Sequence, residues 1–164
     1  MKTAALILAL FALTPAVLPL RAETLSEMAA ASGTDWIIGS WATEDGNVSI
    51  SYTWKLDKHA VAVAFKMGER ESEGMIALKP GTKEAHYHAV DNKGGVAHGQ
   101  WKEFHENPTL FSTQTRADGT ETKMAVEHIK TDADTMTVKL YPVGADGNPD
   151  ESNSPREVVF KRKK

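Results

Sequence analysis

Trp36-Ile37-Ile38-Gly39-Ser40-Trp41 opens a run of about ten alternating strand patterns that ends near Arg162. A Gly-x-Trp on the first strand of an all-β chain is a barrel-closing feature. Gly lets another backbone or a ring approach closely. Trp plugs one end with a large apolar body and a polar N–H. The stretch predicts a small antiparallel β-barrel with Gly39 and Trp41 at its closed end.

Outward from this stretch the period is two. Val48, Ile50, Tyr52, Trp54 and Leu56 share one face of the second strand, and Ser49, Ser51, Thr53 and Lys55 share the other. The apolar face must be the inner one. In the third strand Val61, Val63 and Phe65 alternate with Ala60, Ala62 and Ala64, so both faces are apolar and its direction stays open. Turn signals follow at near-regular spacing: Asp45-Gly46, Asp57-Lys58, Pro80-Gly81, Asp91 to Gly94, Asn107-Pro108, Asp118-Gly119 and Asp132 to Asp134. A polar loop from Gly144 to Pro155 leads into the last strand. Hairpin-short connections favour up-and-down order. The fold class expected is an all-β, closed antiparallel barrel of about ten strands with a short N-terminal helix.

That helix is expected over Thr24 to Ser32. Thr24 and Glu27 make a capping box, and Gly33 stands where a C′ glycine belongs. Before it, residues 1–22 read as a signal peptide. Lys2 supplies the basic n-region, Ala4 to Leu13 the apolar core, and Leu20-Arg21-Ala22 a small-residue end. The apolar run is too short to span a bilayer, and an uncleaved anchor is the alternative. The remaining residues, 23–164, are expected to form one barrel domain, exported to the periplasm or secreted, with no transmembrane segment.

Loss of Lys2 and Arg21 takes the net charge from −3 to −5. No face is obviously basic, which argues against nucleic acid as a partner. The chain has no Cys, which removes disulfides, thiol chemistry and Cys-ligated metals.

The leading helix, Gly39-Ser40-Trp41, Tyr52-x-Trp54, Gly74-Met75-Ile76, Gly99-x-Trp101 and a basic residue on the last strand resemble the calycin-type barrels. These include lipocalins, fatty-acid-binding proteins and nitrobindin-like barrels, and the likeness runs most to bacterial exported members. It covers the whole chain after the signal. In lipocalins a basic side chain near the end of the last strand covers the strand-one Trp. Arg162, which shares parity with Phe160 and Val158, matches that place. The resemblance implies apolar-ligand binding for many members and haem for some.

Trp41, Tyr52, Trp54, Tyr87, Trp101 and Phe111 are expected to point inward from several strands, with Phe65, Met124, His128 and Met136 completing a ligand-binding set. A ten-stranded lumen is too wide for side chains to fill fully, and Ala60, Ala62, Ala64, Ala97 and Gly99 leave room. A packed core is the competing reading. The expected partner is therefore a small apolar ligand, its identity open. Alternatives are a filled barrel that binds a protein, or a haem-binding or enzymatic barrel using His128. No nucleophile elbow, zinc-protease motif or phosphate loop occurs, so no catalytic residue and no cofactor is assigned.

Metal sites are not expected. His86-Tyr87-His88 spaces two imidazoles on one strand face, but Tyr87 with Ala85 and Ala89 makes the more apolar face, which turns the histidines to solvent. Asp146-x-Asn148-x-Asp150 with Glu157 reproduces part of a calcium-loop spacing, yet Glu151 stands where the loop needs Gly.

Overall fold

The computed structural model describes residues 23–152 and 154–164; the expected signal, Met1 to Ala22, lies outside the described residues. The first element is α1, Leu25–Ala31. Its capping box is reciprocal: Glu27 N–H donates to Thr24 Oγ1 at 3.2 Å, and Thr24 N–H donates to Glu27 Oε2 at 2.8 Å. These bonds satisfy backbone donors that a helix start leaves orphaned. A 3-10 turn, Asp35–Ile37, then delivers the chain to the sheet.

Ten strands follow: β1 Gly39–Ala42, β2 Val48–Lys55, β3 Ala60–Met67, β4 Arg70–Leu78, β5 Ala85–Asp91, β6 Val96–Phe104, β7 Asn107–Thr115, β8 Glu121–Lys130, β9 Thr135–Pro142 and β10 Arg156–Arg162. Each pairs antiparallel with its sequence neighbour, and β1 pairs with β10. The result is a closed up-and-down barrel, as the period and the turns imply. Closure leaves no free sheet edge among the strands.

Register decides what alternation alone left open. Tyr52 faces Val63, and Trp54 faces Val61. The inward face of β3 is thus Val61, Val63 and Phe65. The same parity passes through Ile76, Tyr87, Gly99, Leu110, Val126, Leu140 and Arg156 around the barrel. The core concentrates towards α1, where Leu25, Ile37, Trp41, Tyr52, Met136 and Phe160 are buried.

Two turns differ from the sequence reading. Leu56, expected on the inner face of the second strand, is exposed in the turn after β2 with φ of +50°. Asn107-Pro108 is already in β7, and the chain reverses at His105 and Glu106, with φ of +50° and +62°. Two consecutive left-handed residues give the twist that short hairpins need, at a steric cost for side chains with a Cβ. Asn107 Nδ2 donates to the His105 carbonyl at 2.9 Å and holds the reversal. The β9–β10 loop also reaches this turn, where His105 Nε2 lies 2.8 Å from Glu151. Beside it, on the outer face, Glu127 is buried. It accepts from Asn107 Nδ2 at 2.9 Å and from the Tyr141 hydroxyl at 3.0 Å.

Candidate functional site

The closing end is built around Trp41, which is fully buried. Its Nε1 donates to the Ile37 carbonyl at 2.8 Å. Arg162 is its direct partner across β1 and β10 and places its guanidinium carbon 4.0 Å from the ring centroid. The same group donates to the carbonyls of Ile38 (2.9 Å) and Trp36 (2.8 Å). Gly39 has φ of +135°, and a Cβ there would lie 2.4 Å from Arg162 Nη1. The glycine is where it is because the guanidinium occupies that space.

Between α1 and this end of the barrel lies a cavity of about 240 Å³. Leu25, Met28 and Ala29 of α1 form its roof, and Ile37 and Ile38 close one side. Tyr52, Trp54, Val61, Ile76 and Trp101 supply the barrel wall. Lys83, Lys102, Glu103 and Glu106 also touch it, and all four are exposed, which marks its mouth. The interior is apolar, and the polar atoms of two wall residues are buried in the packing around it. The Tyr52 hydroxyl is 2.9 Å from His128 Nε2. Trp101 Nε1 is buried with no hydrogen-bond partner among the described residues.

His128 lies behind the wall, buried, with its ring 4.9 Å from that of Trp101. Its Nδ1 donates to the Val126 carbonyl at 3.0 Å, so Nε2 accepts from Tyr52. Burial holds the imidazole down to about 4 and pushes the Tyr52 hydroxyl up. At neutral pH the pair is an uncharged hydroxyl donating to an uncharged imidazole. Both ring nitrogens are engaged, which leaves neither free to ligate iron. Among the described residues no carboxylate is bonded to this His; the adjacent Glu127 belongs to the outer face with Tyr141 and Asn107.

Of the expected ligand-binding set, Tyr52, Trp54 and Trp101 meet at the cavity. Trp41, His128 and Met136 are packed beneath it without touching it. Phe65, Tyr87 and Met124 have the inward parity without lining the cavity, opposite Ser72, Gly99 and Ser112 respectively, and Tyr87 packs against the core. Phe111 requires a correction. It sits opposite Gln100 and Ala125, the outward parity of β6 and β8, with Lys102 Nζ 5.5 Å from its ring centroid. Leu110 holds the inward place. An apolar outward residue is tolerated here because Phe104 and Lys102 pack beside it. The roof residues on α1 were not singled out from the sequence; the capping box before the first strand was their signal.

His86 and His88 lie on the outer face, with His88 directly opposite His98. Both Asp146 carboxylate oxygens accept from Asn148, at 3.0 Å from its N–H and 2.9 Å from its Nδ2. Among the described residues no three His, Asp or Glu side chains are gathered to hold a metal ion, and no helix is long and apolar enough to cross a membrane.

Fold and site define a closed ten-stranded antiparallel barrel whose helix-capped end holds an apolar cavity. No protein-family model matches the chain, and no curated protein matches it.

Proposed function

We propose that the protein is an exported binding barrel that holds a small apolar molecule in the cavity under α1. The observation that carries the reading is the cavity itself: apolar walls from aromatic and aliphatic residues of β2 to β7, an apolar roof, and charge only at the mouth. Pockets of this kind are mostly apolar with a few polar groups that orient the ligand. The engaged nitrogens of His128 favour binding over lumenal catalysis. The signal-like N-terminus supports export, and the resemblance to calycin barrels supports an apolar ligand.

The test is native mass spectrometry of protein from its source, followed by fluorescence titration with fatty acids and retinoids. Saturable micromolar binding that quenches tryptophan emission is the expected result. Apolar burial at about 25 cal/mol per Å² is sufficient for that affinity in a preformed site. A protein that co-purifies with nothing and saturates with no member of the panel is a filled barrel instead.

A further inference from the structure

The outer face of β5 to β8 carries a feature that the cavity does not use. Register aligns His88, His98, Thr113 and Lys123 in one row across four strands. With strands about 4.8 Å apart, the row is about 14 Å long. His86, Gln100 and Phe111 form the row beside it. A groove of about 380 Å³ runs along both rows and also touches Lys102.

No Asp or Glu lines this groove, although acids outnumber bases in the chain, 22 to 19. Neither Lys102 nor Lys123 forms an ion pair among the described residues. Glu84, which reaches His86 at 3.2 Å, also lies 3.3 Å from Lys79. The groove thus gathers two ammonium groups without an ion-pair partner among the described residues and three imidazoles, of which His86 has Glu84 beside it. Two ammonium groups lining one groove favour an anion within it.

We propose that this groove binds a small organic anion bearing two or more carboxylate or phosphate groups. Lys123 and Lys102 supply charge, the His, Gln100 and Thr113 side chains supply hydrogen-bond donors, and Phe111 offers a ring face to an apolar body. A transition metal is the competing occupant. Two features argue against it: the three imidazoles do not converge as a group that could hold one ion, and the Lys123 ammonium ends the histidine row.

The test is titration of the protein with pyrophosphate and, separately, citrate, followed by NMR. The expected result is saturable one-to-one binding with shifts at His88, His98, Thr113 and Lys123 and none at Trp54. The surface double variant Lys123→Gln, His98→Asn should weaken it about tenfold or more, and rising salt should weaken it further. Binding of one probe only assigns its group, phosphate or carboxylate, to the site. Absence of saturable binding by either probe overturns the proposal, as does binding undiminished in the variant. Zn²⁺ that saturates the three histidines while neither anion binds makes the groove a metal site and also overturns it. The groove shares Lys102 with the cavity mouth, and the double variant leaves Lys102 unchanged, so apolar-ligand titrations of that variant are independent of this outcome.

Discussion

The Arg162 guanidinium stacks 4.0 Å above the Trp41 ring centroid while donating to the carbonyls of Ile38 and Trp36. One side chain thereby caps the plug residue, joins the last strand to the first, and fixes the segment that enters β1. A Lys in its place has no planar fork to make both bonds and stack at once.

Trp41→Ala should be among the most costly substitutions in the chain. The ring is fully buried, and large-to-small changes of this kind cost about 3–5 kcal/mol. Arg162→Ala should cost about 2 kcal/mol, combining the cation–π contact with two charge-assisted bonds. Urea unfolding of both variants measures this; an unshifted midpoint for Trp41→Ala contradicts the buried plug.

Gly39→Ala should destabilise the barrel through the same guanidinium, because its Cβ would meet Arg162 Nη1 at 2.4 Å. Backbone strain at positive φ adds about 1–3 kcal/mol. The clash disappears in the Arg162→Ala background but the strain does not. A double-mutant cycle should therefore show non-additivity of about 1 kcal/mol or more. Strict additivity means the two residues do not share that space.

Stability should fall with acidification through the window set by His128. Its pKa is held at about 4 by burial, against 6.5 ordinarily. Above pH 6.5 the group is neutral in both states and contributes nothing to the slope. Between 6.5 and 4 the unfolded chain takes up a proton that the folded barrel refuses, so unfolding becomes easier by about 1.4 kcal/mol per pH unit. The total is about 3 kcal/mol. Denaturant titrations at pH 7, 5.5 and 4.5 read the slope, and His128→Leu should flatten it; an unchanged slope in that variant assigns it to other groups.

Ala29→Phe should fill the cavity from its roof. Ala29 lines it from α1 and is not in the buried core, so the helix and barrel should survive. Far-UV circular dichroism should be unchanged while the affinity for an apolar dye drops about tenfold or more, a loss of about 1.4 kcal/mol. Undiminished dye binding places the dye elsewhere.

The strand order and the capping box were legible in the residues themselves, while the Trp41–Arg162 pair was what the resemblance to calycin-type barrels implied. Alternation is a local property, and a hairpin turn joins neighbours in sequence, so an up-and-down barrel follows from short-range signals. The Asn107-Pro108 turn was misplaced because His105 and Glu106 carry no turn signature. They take left-handed backbone only because Asn107 and the β9–β10 loop hold them there.

Parity within a strand tells which residues share a face, while which face looks inward is a property of the neighbours. For β2 the contrast of the two faces was enough. For β3 both faces are apolar, and for β7 Phe111 suggested the wrong one; pairing with β2, β6 and β8 decided both. The sequence by itself determined an up-and-down antiparallel barrel and a capping helix, because each rests on contacts within a strand or a turn. Only the tertiary structure decided that Tyr52, Trp54 and Trp101 meet under α1, and that His88 faces His98. Both depend on the register between strands, which is fixed by the whole closed ring of pairings at once.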